Sequence, residues 1–146
     1  MLEISLDADQ LEHGLNRLLK NATDTRPMMR AIATEMVSLT EDNFENESWG
    51  SEKWKQSKRA ADSGKTLQLT GQLAASISTK TGNGFAQIGS NKKYAAIHHL
   101  GGQAGRGRKV TIPARPYLPI NGSGQLQNGA EKKLIDIAIE SLKAGL

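Results

Sequence analysis

Apolar positions recur along this chain with a helical period in three separate stretches. Leu11, Leu15, Leu18 and Leu19 fall at i, i+4, i+7 and i+8, which predicts a helix that starts after Asp7 or Asp9 and stops near Asn21. Met29, Ile32, Ala33, Met36, Val37, Thr40 and Phe44 keep the same period to about Asn46. Thr25 and Pro27 suit the cap and first turn of this second helix, because proline lacks only an N–H that would be unpaired there. Its C-terminal end gathers Glu41, Asp42, Glu45 and Glu47, which opposes the helix macrodipole. That predicts either fraying at this end or basic groups brought to it from elsewhere. The third stretch, 126–143, carries Ala130, Leu134, Ile137, Ala138 and Leu142 on one stripe, widened by Ile135 and Ile139.

Between the second and third helices the period changes. From 47 to 65 it dissolves, leaving Trp49 and Trp54 among Lys53, Lys55, Lys58 and Arg59. Thr70 can cap a short turn containing Leu73 and Ala74. Residues 76–81 and 85–89 read as strands around Gly82-Asn83-Gly84, whose glycines tolerate the positive φ of a tight hairpin. A short helix over 94–100 ends at Gly101, a flexible Gly/Arg loop fills 101–109, and 110–112 reads as a third strand. Pro113, Pro116 and Pro119 interrupt any regular structure over 113–119, and 121–124 is a turn. The order predicts an α+β domain with a small antiparallel sheet packed by N-terminal and C-terminal helices. We read 1–146 as one domain, with acidic helices in 1–47, a motif-bearing sheet region in 67–120 and the closing helix in 126–143.

Composition refines this picture. Aromatic residues are only 4% of the 146, so the core is expected to rely on Leu, Ile, Ala and Met, with partner subunits completing some apolar surface. The absence of cysteine excludes a disulfide scaffold and a thiolate zinc site. The N-terminus shows no basic region followed by an apolar stretch, and no apolar run approaches the roughly 18–20 residues of a membrane span. A cytoplasmic protein without a membrane partner is the default expectation. The net charge of +4 divides unevenly: 1–47 holds ten acids against four bases, net −6, and 48–146 five acids against fifteen bases, net +10. Such asymmetry suits head-to-tail self-association, or simply two solvated faces.

The residues offer little for catalysis. His98 and His99 lie about 100° apart on a helix with no acid or thiol at ligand spacing nearby, and His13 sits on the first helix one residue from an acid. One of the adjacent pair is expected to bond a backbone group and the other to face solvent. There is no Gly-x-Ser-x-Gly elbow, and only five acids in the basic part of the chain. Gly102 and Gly107 have P-loop spacing but are followed by Arg108 and Lys109, and the loop leads into a strand where phosphate binding needs a helix. No enzyme and no cofactor is expected. Two binding readings remain. Trp49, Trp54 and the nearby bases, with Arg106, Arg108 and Lys109, suit nucleic-acid phosphates and stacking. Alternatively the tryptophans pack on the core or on a neighbouring subunit, and the basic loop is a solvated hairpin tip or a partner contact.

Three ordered blocks go beyond generic sequence: Thr70, Gly71, Leu73, Ser76 and Ile77; Tyr94, Ala95, His98, Gly101 and Gly102; and Ile112, Pro113, Arg115, Pro116, Tyr117 and Leu118. In order and spacing across about 67–120 they resemble the phage virion morphogenesis family, the tail-completion group of Mu-type and P2-type phages. Pro119 departs from the small residue expected after Leu118. The resemblance implies a small α+β protein that completes the phage tail and supports head–tail joining. It implies phage tail and connector proteins as partners, a homo-oligomeric ring, possible contact with phage DNA, and passage from host cytoplasm into the virion. The two prolines predict a stiff turn that aims Arg115, able to grip a carboxylate. Tyr94 and His98 share a helical face and are expected to lock that helix to the turn, leaving 101–109 as the contact loop.

Overall fold

The computed structural model describes residues 2–7, 24–57, 67 and 71–144. Its elements are strand β1 (Leu2–Asp7), helix α1 (Arg26–Asn46), short strands β2 (Ser48–Trp49) and β3 (Glu52–Lys53), the turn α2 (Gln72–Ala75), and strands β4 (Ile77–Gly82) and β5 (Phe85–Ser90). Helix α3 (Ala95–Leu100), strands β6 (Gly102–Ala104) and β7 (Val110–Ile112) and helix α4 (Ala130–Ala144) complete the order, with a 3-10 turn at Arg106–Arg108 between β6 and β7. This is the expected α+β class. The helix predicted around Leu11–Leu19, together with His13, Lys58, Arg59 and Thr70, lies outside the described residues.

The main sheet has three antiparallel strands in the order β1-β5-β4. Its hairpin is tight: Gly82 pairs with Phe85, and Gly84 takes φ +82 in the two-residue turn. Strand β1 was not anticipated, although Leu2, Ile4 and Leu6 alternate with Glu3, Ser5 and Asp7. Its register sets Leu2, Ile4 and Leu6 opposite Ser90, Ile88 and Ala86, which are buried positions of β5.

Helix α1 is the centre of the packing, with β4, β5 and α4 all against it. Met28, Met29, Ile32, Ala33, Met36, Leu39 and Phe44 form its buried face, and Ile88, Leu134 and Ala138 meet it from the sheet and α4. Thr25 stands at the N-terminal cap position, yet its side chain makes no cap bond. Its backbone N–H and hydroxyl both donate to Asn83 Oδ1 (2.9 and 2.7 Å), and the hydroxyl accepts from Gly84 N–H (2.6 Å). The hairpin tip is thereby clasped to the start of α1. At the other end no fraying is seen: Glu47 turns left-handed (φ 51) to return its N–H to Asn43 O, and Lys53 Nζ donates to Asn46 O at 3.0 Å. The base from outside the helix thus meets a backbone carbonyl, where the charge pattern had set it against the acids.

Two boundaries differ from expectation. Helix α4 begins at Ala130, after Gly129 at φ +85, because Leu126 bridges Ile120 and Gln127 is drawn into the core. The stretch 101–109 is no flexible loop: Gly102, Gln103 and Ala104 pair with Ile112, Thr111 and Val110 in a β6–β7 hairpin, separate from the main sheet.

Gly101, between α3 and β6, holds φ +74, and a Cβ there would stand 2.7 Å from the backbone nitrogen of Ala114. Gly124 has a similar φ of +79 with nothing within 4 Å. Gly101→Ala is therefore expected to lower stability by roughly 1–3 kcal/mol more than Gly124→Ala, because only the first adds a clash to the backbone strain. Urea midpoints of the two variants check this; equal losses would remove the proposed role of close approach.

Candidate assembly surface

After β7 the chain enters the core without regular structure. Arg115, Tyr117, Leu118, Pro119 and Ile120 are all buried. Buried peptide groups outside helices and sheets need partners, since an unpaired one costs about 1–3 kcal/mol. Here five consecutive carbonyls find them. Pro116 O accepts from Trp54 Nε1 (2.7 Å), Tyr117 O from Asn43 Nδ2 (3.0 Å) and Leu118 O from Trp49 Nε1 (3.0 Å). Pro119 O accepts from the Gln127 N–H at 2.8 Å, and Ile120 O from His99 Nε2 at 2.7 Å. Pro116 and Pro119 have no N–H to place, so proline after Leu118 suits a buried position.

The two tryptophans thus face inward, as the packed-loop alternative describes. Phe44 stacks on Tyr117 (5.2 Å between centroids) and meets Trp54 edge-on (5.8 Å), while His99 meets Tyr117 edge-on at 4.9 Å. Tyr117 completes the knot by donating its hydroxyl to Ala95 O at 2.6 Å, and burial pushes its phenol pKa up.

His99 locks helix α3 to this strap, a role the residue pattern assigned to His98. With Nε2 donating to Ile120 O, Nδ1 accepts from the N–H groups of Tyr117 (3.1 Å) and Leu118 (3.4 Å). Burial lowers its pKa, against a smaller upward pull from Ile120 O. Protonation at Nδ1 would also set a second N–H against those two donors. Ala95 and His99, four residues apart, form the buried face of α3; Tyr94 and His98 form the next, more open one. His98 contributes its backbone carbonyl, which accepts the Arg115 N–H at 2.9 Å. Its Nδ1 is buried without a partner, and its pKa is lowered by burial and then by Arg115. Tyr94 stands edge-on to it at 5.8 Å.

Arg115 is held, but not by a carboxylate. Its Nε donates to Lys55 O at 2.6 Å, and among the described residues no acid stands within salt-bridge distance. The other motif residues are structural in placement: Leu73 is buried, Gly71 takes φ +71 at the start of α2, and Ser76 Oγ meets Ser90 Oγ at 2.6 Å. Gly102 opens β6 and Pro113 follows β7.

Arg106, Arg108 and Lys109 do reach solvent, all exposed at the hairpin tip and none bonded to a carboxylate among the described residues. Among the described residues, Tyr94, Leu100 and Val110 are the large hydrophobic side chains left exposed, at 39%, 46% and 53%. The surface therefore combines a cationic tip with scattered apolar contacts, mounted on a buried strap. Elsewhere a groove of about 400 Å³ runs between α1 and β4, lined by Val37, Thr40, Glu41, Phe44, Ala74 and Ile77, with no converging chemistry. Among the described residues no three His, Asp or Glu side chains gather as metal ligands, and no helix is long and apolar enough to cross a membrane.

The profile of the phage virion morphogenesis family matches residues 6–143. The chain is 44% identical over 119 residues to Mu-like prophage FluMu G protein 2 of Haemophilus influenzae, covering 81% of this chain and 83% of that protein. It is 34% identical over 137 residues to the putative capsid assembly protein G of Escherichia phage Mu, covering 85% and 86%. FluMu G protein 1 of the same Haemophilus strain is 28% identical over 134 residues, covering 84% and 86%. No solved structure gives a significant match.

The lowered pKa of His99 carries a pH consequence. Its folded value lies below the ordinary 6.5, so its contribution to stability is complete above about pH 6.5 and declines as pH falls from there toward the folded pKa. His98 acts with the same sign. Unfolding midpoints are expected to drop between pH 7 and 5, and His99→Gln, less stable at pH 7, should show a flatter dependence over that range. An unchanged slope in the variant would remove His99 from this role.

Proposed function

The chain belongs to the phage virion morphogenesis family, and on that premise we propose that it completes the phage tail and supports joining of tail to head. It acts by assembly, as repeated subunits closing into a ring, and catalyses no reaction. Tail and head–tail connector proteins are its partners, met in the host cytoplasm before the finished particle carries it. The observation that carries this reading is the exposed β6–β7 tip: Arg106, Arg108 and Lys109 lie on a short hairpin leading into a strap whose five carbonyls at 116–120 are all bonded. A rigid mount lets a cationic contact bind without a large ordering cost. Glu41, Asp42 and Glu45 on the exposed side of α1 offer the opposite sign for subunit-to-subunit contact.

The test is mass in solution, with and without tail and connector proteins. The wild-type chain is expected to form a closed oligomer or to join those partners. Arg106→Glu with Arg108→Glu should weaken this at least tenfold while leaving the unfolding midpoint within about 0.5 kcal/mol, as for other exposed substitutions. A chain that stays monomeric and ignores every partner overturns the reading.

A second reading, contact with DNA, keeps part of its support. The tip bases suit phosphates, but Trp49 and Trp54 are buried and cannot stack on bases. DNA binding should therefore be weak and indifferent to sequence, and fall with salt. Arg106→Ala with Arg108→Ala should reduce its salt slope; absence of binding at low salt eliminates it.

A further inference from the structure

Two neighbouring polar side chains beside the strap carry atoms without partners among the described residues. Arg115 is only 7% exposed, spends Nε on Lys55 O, and has no partner for its terminal nitrogens among the described residues. His98 Nδ1 is buried and equally unpartnered. The two residues are joined by the Arg115 N–H to His98 O bond of 2.9 Å, and the guanidinium is near enough to depress the pKa of the imidazole. Among the described residues His98 Nδ1 is the buried side-chain atom without a partner, and a guanidinium with unpaired terminal N–H groups beside it favours an anion that pairs with both.

We propose that His98 and Arg115 form a receptor for a single carboxylate, presented by an acidic side chain of a neighbouring protein in the assembled particle. The terminal guanidinium nitrogens supply two parallel N–H donors in the spacing of a carboxylate's two oxygens, and His98 Nδ1–H supplies a third. Tyr94, edge-on to His98 and 39% exposed, forms the rim. A Tyr beside a desolvated Arg is the composition of an interface anchor. A carboxylate on a flexible side chain can reach a guanidinium that is 7% exposed; the backbone phosphate of a duplex, flanked by sugars, cannot approach as closely. Only the carrier of the carboxylate rests on the assembly reading; the ligand chemistry stands without it.

The experiment follows the ring nitrogens of His98 and the side-chain nitrogens of Arg115 by NMR in the full chain. Sodium acetate replaces sodium chloride at constant ionic strength. Acetate is expected to produce a saturable shift at both residues and to raise the His98 pKa, because an anion favours the protonated ring. Arg115→Lys keeps the charge but loses the fork, and should weaken acetate at least tenfold. If near-UV dichroism shows that this variant has lost its fold, His98→Asn serves in its place, read at Arg115. No saturable shift, or the same shift in the folded variant, overturns the proposal. So does a response to inorganic phosphate without one to acetate. Because acetate needs no assembly partner, this outcome is separable from failure of the ring.

Discussion

The structure depends on how the chain satisfies an irregular segment driven through its core. Between residues 116 and 120 five carbonyls in succession lie in or at the edge of the core, with neither a helix nor the main sheet to receive them. Each accepts a bond, and the donors come from α1 (Asn43), the short β2–β3 turn and the residue after it (Trp49, Trp54), α3 (His99) and the approach to α4 (Gln127). One constraint therefore ties α1, the β2–β3 turn, α3 and the approach to α4 to the same segment. It also explains a buried asparagine at the end of a long helix: Asn43 donates to Tyr117 O and Gln127 Oε1 and accepts from the Gly50 N–H. Loss of any one donor strands an acceptor in a low-dielectric interior.

This arrangement divides the motif region into an interior and an exterior. The strap and the Ala95–His99 face of α3 are interior and hold the subunit together. The Tyr94–His98 face and the hairpin tip are exterior, and differ from each other: one is a recessed cation with open donors, the other a protruding cluster of three. A recessed site favours selectivity for a small group, while protruding charges favour encounter over distance. Family membership makes assembly with other virion proteins the context for both.

Much of the fold was legible from periodicity. Helix α1 extends from the predicted cap to the predicted end, the β4–β5 hairpin turns at its Asn-Gly, and α3 stops at Gly101. Strand β1 was written in the Leu2, Ile4, Leu6 alternation, but it is short and its partner β5 lies some 80 residues later, where no local signal points. The choice between His98 and His99 turned on helix phase: Ala95, small and four residues earlier, marks the buried face, and Tyr94 marks the other. The tryptophans gave no such hint, because the carbonyls they meet are 62 and 69 residues away in sequence. Glycines and cations in 101–109 disguised a paired hairpin, whose cross-strand bonds need only backbone.

The placement of Trp49 and Trp54 gives the molecule a built-in optical reporter. They are its only two indoles, and both donate to neighbouring stretches of the strap. Their emission is governed by the polarity around Pro116 and Leu118, and is remote from events at the hairpin tip that leave the interior unchanged. A red shift signals water entering the core, while steady emission through a binding event marks rigid docking. Fluorescence thus separates a subunit that joins its neighbours intact from one that must rearrange to do so.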